Sequence, residues 1–279
     1  MIKKWLMRAL LALLPLVALE AALRAAGIGG SIVYEEHPDY GYRPRPNQRF
    51  STLGHPIQIL ENGFRAPRGI ERLLVVGDSV AYGTATLRDE ETFAALLGAD
   101  NAGVNGWGPE NVARFLDHVA CESYRAVIWV FPSCDTLRPF MRLRGGLIST
   151  TRPMWLRMEY LFRFFWYGWF RPGVTPSDPA TAEDNLRAVL DAHARLAERH
   201  CRLLMVFVPA REECEGGETA DTPHFRRLIE RVAAAGVPVV IPRPEADCAR
   251  YFRDTAHLTP EGNRWLARQI SADLASRGW

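Results

Sequence analysis

Lysine does not occur after Lys4, and the remaining positive charge is arginine scattered among aspartate and glutamate. The formal net charge is only +2 over 279 residues, and no basic cluster falls on a plausible recognition helix. The electrostatic footprint of a nucleic-acid-binding protein is therefore missing. The five cysteines, Cys121, Cys134, Cys201, Cys214 and Cys248, contain no C-x-x-C and no metal-like spacing. No internal repeat is present, which excludes a solenoid or propeller. A long apolar run is also lacking: the uninterrupted stretch Ala9–Leu19 is nearer a signal-peptide core than a full bilayer span.

The wider segment from Trp5 to Ala26 is nonetheless apolar enough to cross a bilayer if Arg8 snorkels and Glu20 lies near the far interface. Residues 1–26 are accordingly expected to form an uncleaved single-pass membrane anchor. With Lys3, Lys4 and Arg8 ahead of the apolar stretch, the rest of the chain would lie outside the cytoplasm. The alternative is a cleaved signal and a secreted protein, with "AALRAAG" the nearest approach to a cleavage site.

What is present is enough for one sizeable domain of about 200–250 residues plus an appendage. Residues 27–70 are rich in Pro, Gly and Tyr and hold no sustained period, so they read as an extended segment draped over the domain. From residue 71 to 279 the pattern is regular. Strand candidates are Leu73–Val76, Ala102–Asn105, Ala126–Phe131, Leu203–Val208 and Pro238–Ile241. Between them lie helical patterns at Glu91–Leu97, Glu110–Ala120, Thr181–His200 and Pro223–Ala235, with a last helix from Pro260 to about Arg277. Near-continuous apolar strands alternating with amphipathic helices predict a parallel α/β sheet of about five strands covered on both faces. Thr181 and Thr259 are candidate helix caps, the second followed by Pro260 at the first helical position.

A helical insertion at 140–173 breaks the rhythm. It places nine aromatics between Trp155 and Phe170, interspersed with arginine at 152, 157, 163 and 171. It reads either as a helix packed on the domain or as one resting on a membrane surface or lidding the site (residues 152–171). If the strands after Cys121 and Cys201 are neighbours, those two thiols share one sheet edge and could be bridged. Cys214 and Cys248 could pair at the opposite edge, leaving Cys134 free. Buried free thiols are the other reading.

The first core strand runs into "GDSV", Gly77–Val80. Ligands of open α/β sheets bind at the carboxyl ends of the strands, so Ser79 stands where a nucleophile would belong. A serine hydroxyl needs a base within hydrogen-bond reach. Of the seven histidines, His118, His193, His200 and His224 fall in or at the ends of helical patterns, and His37 and His55 in the Pro-rich segment. His257 differs: it follows the last strand and precedes the last helix, in "RDTAHLTPEGN". Asp254, three residues earlier, can take the Nδ1–H of that ring while Nε2 faces the serine.

These stretches resemble the SGNH (GDSL-type) hydrolase superfamily over roughly residues 71–277. The resemblance implies a flavodoxin-like three-layer α/β/α sandwich and a triad of Ser79, His257 and Asp254. "NAGVNGWG" is similar to the family's second block, which implies oxyanion donation from the N–H of Gly106 beside that of Ser79. The third block departs from the family pattern. "FPSCDTL" puts Cys134 where an asparagine amide would complete the hole, and a thiol is a poor donor; either two donors serve, or the loop shifts and Ser133 contributes. Asp135 aligns with that block's aspartate. Asn62-Gly63-Phe64-Arg65 could frame the site from the N-terminal segment.

The implied activity is a serine esterase, without metal or cofactor, that removes short acyl (acetyl) groups from an extracytoplasmic glycan. Other readings are an O-acyltransferase of an envelope polysaccharide, a lipid or lysophospholipid esterase, and a non-catalytic glycan-binding protein that has kept the fold. Partners would be an acylated glycan or lipid ester and the membrane, with no nucleic acid.

Overall fold

The computed structural model describes residues 2–143, 151, 155–169, 178–244 and 247–279. In chain order the helices are α1 (Ile2–Ala25), α2 (Ser79–Tyr82), α3 (Phe93–Leu96), α4 (Pro109–Phe115), α5 (Arg157–Trp169), α6 (Pro179–Glu198), α7 (Arg211–Cys214), α8 (Thr222–Ala234) and α9 (Pro260–Ser276). The strands are β1 (Tyr34–His37), β2 (Gly41–Pro44), β3 (Gln48–Ser51), β4 (Pro56–Ile59), β5 (Leu73–Gly77), β6 (Asp100–Asn101), β7 (Ala126–Pro132), β8 (Leu203–Val208) and β9 (Val239–Val240).

Every residue of β5, β7 and β8 is buried, as a sheet covered on both faces requires. The five strands β6-β5-β7-β8-β9 are parallel, with Leu73 opposite Ala126 and Val127 opposite Leu203. The period of two in a strand divides their side chains between two cores. Leu74, Val76, Trp129, Phe131 and Phe207 meet α4, α6 and α8 through Val112, Val189, Phe225 and Leu228. Val75, Ile128, Val130, Leu204 and Val206 meet α3 and α9 through Phe93, Trp265 and Ile270. Each fully buried aliphatic or aromatic side chain contributes about 1.5–3 kcal/mol. The result is the expected three-layer α/β/α sandwich.

Differences are local. The strand expected at Ala102–Asn105 pairs as a regular ladder only at Asp100–Asn101. Beyond it the chain must pass the backbone of α2: a Cβ at Gly103 would lie 2.3 Å from the Tyr82 nitrogen. Single bonds continue, from Ala102 N–H to Val75 O and from Val104 N–H to Gly77 O. The predicted cap Thr181 lies inside α6, which Asp178 caps by accepting from Ala180 N–H, with Pro179 in the first turn. Thr259 caps α9 as expected.

Residues 27–70 are more ordered than their composition suggests. They form two hairpins, β1 with β2 and β3 with β4, whose four-residue strands are too short to leave a period. Both alternative thiol pairs are disulfides: Cys121–Cys201 and Cys214–Cys248, spanning 80 and 34 residues of sequence. Loops of that size are worth about 4–4.5 kcal/mol each in the chain-entropy account. Cys134 is free.

The expected membrane anchor is not supported. Among the described residues no helix is long and apolar enough to cross a membrane. Helix α1 carries Arg8, an internal Pro15, Glu20 and Arg24, so its apolar run is interrupted on both sides. Glu20 accepts the N–H groups of Arg157 and Met158 at the start of α5 and pairs with Arg24. The single-pass placement in a cell membrane falls with the anchor. The described part of the helical insertion is α5, which packs on α1. Arg152 and Arg171, with residues 144–150 and the rest of 170–177, lie outside the described residues.

Candidate active site

At the carboxyl end of β5 the chain turns through Gly77 into α2. Gly77 has φ +150° and a Cβ there would lie 2.6 Å from the Val130 carbonyl oxygen, so only glycine lets the two strands stay this close. Asp78 then caps α2, its Oδ1 accepting from Val80 N–H at 2.8 Å. This short turn lifts Ser79 out of a buried strand into a half-buried position.

The His257 loop reaches Ser79 from the far end of the sheet. Thr259 ties it to α9, and Arg253 N–H bonds back to the His257 carbonyl at 2.8 Å. Gly262 in the first turn of α9 allows the loop to pack tightly, because a Cβ there would lie 2.1 Å from the Tyr251 carbonyl. His257 Nε2 lies 2.9 Å from Ser79 Oγ. On the other side of the ring, Nδ1 lies 2.9 Å from both carboxylate oxygens of Asp254. The structure thus brings Ser79, His257 and Asp254 into one hydrogen-bonded line across 178 residues of sequence.

Asp254 is held ionised. Burial works against its charge, but the N–H of His257, the Arg253 guanidinium, the His257 ring and the N–H of Ala256 together hold the carboxyl well below the usual carboxylate range. Arg253 also donates to Thr86 Oγ1, linking Asp254 to the loop after α2.

The second loop, residues 102–108, is drawn beside Ser79 by the bond from Val104 N–H to Gly77 O. Gly106 lies in it with φ +81°, and its N–H has no hydrogen-bond partner among the described residues. The same is true of Ser79 N–H. Two unengaged amide donors are what a developing oxyanion needs.

Cys134 lies after β7 in a 3-10 turn, Ser133–Asp135. Its sulfur makes only long contacts, 3.9 Å to Asp135 Oδ1 and 3.8 Å to Arg138 Nη2. Burial, then the charges of Asp135 and Asp78, push the thiol up, so it remains a protonated and weak donor. Ser133 is turned away, donating to Glu213 Oε1 at 2.8 Å, so the loop does not bring its hydroxyl in as a replacement.

One residue of consequence escapes a reading by motif. Arg138 lies between Asp135 at 2.9 Å and Asp78 at 3.5 Å, and also donates to the Trp107 carbonyl. Burial opposes its charge, but the flanking Asp135 and Asp78 hold the guanidinium protonated; burial in turn pushes Asp135 up against the pull of Arg138. The ligand atoms of Asp78, Cys134 and Asp135 lie within 4.8 Å of one another, yet this guanidinium already supplies the cation. The only sequence signal was the Asp135/Arg138 spacing; nothing couples Arg138 to Asp78 before folding.

The Arg65 side chain is fully buried, pairs with Asp89, and donates to the carbonyls of Tyr82, Thr84 and Leu87. The N-terminal segment therefore holds the loop that leaves α2.

A cleft of about 520 Å³ lined by Ile70, Arg72, Tyr124 and Arg202 lies at the amino edge, opposite this constellation. The chemistry points to the carboxyl edge, where the convergent polar groups are.

No family model and no curated protein matches the sequence. Solved structures do. An acetyl xylan esterase aligns at 15% identity and a TM-score of 0.48 over 72% of this chain and 98% of its own. A GDSL-like lipase from Bacteroides thetaiotaomicron aligns at 11% and 0.47 over 76% and 93%. A family two carbohydrate esterase from Clostridium thermocellum, in complex with cellohexaose, aligns at 12% and 0.44 over 76% and 66%. In the order of its sequence blocks, its five-stranded parallel sheet and the sheet edge at which Ser79, His257 and Asp254 meet, the chain resembles the SGNH (GDSL-type) hydrolases.

Proposed function

We propose that the protein is a serine ester hydrolase of SGNH type that removes short acyl groups, acetyl foremost, from a glycan outside the cytoplasm. The observation that carries this reading is the pair of 2.9 Å contacts from Ser79 Oγ through His257 to Asp254. Ser79 Oγ attacks the ester carbonyl while His257 Nε2 takes its proton, and Asp254 orients the ring through Nδ1–H. The tetrahedral oxyanion accepts the N–H groups of Gly106 and Ser79. His257 returns the proton to the leaving alkoxide, and water, activated by the same histidine, then releases the carboxylic acid.

The polar rim of Thr84, Thr86 and Arg253 suits a hydroxyl-rich leaving group. Two disulfides favour oxidising surroundings.

The test is hydrolysis of p-nitrophenyl acetate by the full chain, wild type against Ser79→Ala. The expected loss is about 10⁵–10⁶-fold in kcat. Equal rates in the two proteins, or no turnover in either, would sink the hydrolase reading. Glycan binding untouched by the substitution would then make this a binding protein whose third block, with Cys134, has lost its oxyanion donor.

A further inference from the structure

The Gly106 amide shares its peptide plane with the Asn105 carbonyl, and in a trans peptide the two point in opposite directions. Whatever grips that carbonyl therefore aims the N–H. Tyr42, from β2 in the N-terminal segment, donates its hydroxyl to Asn105 O at 2.8 Å. Its own backbone carbonyl accepts from the Trp107 indole Nε1 at 2.9 Å, so one residue clasps the loop on both sides of Gly106. The fit is close: a Cβ at Gly106 would lie 3.0 Å from the Tyr42 hydroxyl, and the φ of +81° also demands glycine. Tyr42 is 2% exposed and rests edge-on against Tyr34, with ring centroids 5.4 Å apart. Tyr34 in turn accepts the Asn105 side-chain amide at 3.0 Å, which leaves the peptide itself to Tyr42.

We infer that Tyr42 is a positioning residue for ester hydrolysis: its hydroxyl, by donating to the Asn105 carbonyl, aims and polarises the Gly106 N–H toward the oxyanion. The inference rests on the esterase reading. A donor at the carbonyl end of an amide strengthens the N–H at the other end, since linked hydrogen bonds polarise one another. Gly106 N–H makes no other hydrogen bond among the described residues, so the added polarity is available to the substrate. Burial pushes the phenol up, against the lowering pull of Arg138, and keeps it a donor. The hairpin that carries Tyr42 thereby becomes part of the active site although it contributes no group to the substrate.

The test is a graded series on the full chain with p-nitrophenyl acetate. Tyr42→Phe removes the hydroxyl alone, and kcat is expected to fall about ten-fold with KM unchanged, less than loss of a direct oxyanion donor. Replacement of Tyr42 by 3-fluorotyrosine, a stronger donor of nearly the same shape, should raise kcat above wild type and covers the case in which Tyr42→Phe folds poorly. Tyr34→Phe keeps the ring against Tyr42 and removes only the hydroxyl on the Asn105 side chain, so kcat should stay near wild type. The Gly106 amide nitrogen resonance should shift in the Tyr42 variants and hold in Tyr34→Phe. Unchanged kcat in folded Tyr42→Phe, or an equal loss in Tyr34→Phe, overturns the role of Tyr42 while the esterase reading stands. Wild type without Ser79-dependent turnover overturns the esterase reading itself, and this inference with it.

Discussion

Ser79 stands between two acidic groups of opposite character. On one side the Asp254–His257 loop is built locally: carboxylate and ring are three residues apart, the aspartate side chain is 45% exposed, and its charge is fed by two amide N–H groups and Arg253. On the other side Asp78 and Asp135 are buried and share the single guanidinium of Arg138. The first arrangement sets a proton path. The second holds three chain segments together beneath the nucleophile. The difference suggests that the exposed side governs rate and the buried side governs stability, and substitutions can separate the two.

The largest expected effect is on the exposed side. Asp254→Asn keeps the shape but offers His257 Nδ1 an ambiguous partner and loses the charge that steadies an imidazolium. We expect kcat for p-nitrophenyl acetate to fall by about 10³–10⁴-fold. The midpoint of thermal unfolding should fall by less than in the buried cluster, because the asparagine Oδ1 can still accept the N–H groups of Ala256 and His257. A rate within ten-fold of wild type would remove Asp254 from the orienting role and break the comparison at once.

On the buried side the expectation reverses. Arg138→Met leaves Asp78 and Asp135 without their shared cation, and breaking a buried pair in this way costs about 3–5 kcal/mol. For a chain of this size that lowers Tm by on the order of 10 °C. Adding Asp135→Leu should recover part of the loss, because a matched apolar pair replaces an orphaned charge. If Arg138→Met unfolds normally in a melt but abolishes turnover, the buried cluster belongs to the chemistry after all.

This division also explains what could be read before folding. The sheet was legible because β5, β7 and β8 are apolar along their whole length, and no other element type suits such short runs. Ser79 could be singled out at a strand end and Asp254 with His257 in the loop before the last helix, and the resemblance to SGNH hydrolases rests on those blocks. Arg138 to Asp78 and Arg65 to the Tyr82 carbonyl are tertiary contacts between segments without a shared period, so no local pattern announces them. Tyr42 lay in a Pro- and Gly-rich stretch whose strands are four residues long, beneath the length at which alternation can be seen. The opposite error arose at the N-terminus. There, mean apolarity from Trp5 to Ala26 outweighed the charges within it, although Glu20 is engaged by the start of α5.

The smallest effect is the sharpest discriminator, because the two aspartates should titrate with opposite sign. The folded-state pKa of Asp254 is lowered, so its contribution to stability is full above about pH 4 and is lost as pH falls through the folded value. That of Asp135 is raised by burial, against the pull of Arg138 and with the charges of Asp78 and Asp221. The folded protein therefore holds that proton more tightly than the unfolded chain, and a penalty grows as pH rises from about 4 toward the folded value. Denaturant unfolding of wild type, Asp254→Asn and Asp135→Asn across the acid range reads both. The deficit of Asp254→Asn relative to wild type should shrink as pH is lowered below about 4. Wild type should instead lose ground to Asp135→Asn as pH is raised. Parallel curves for the two variants would mean that both carboxylates are solvated alike, and the contrast between an exposed proton path and a buried clamp would have no electrostatic basis.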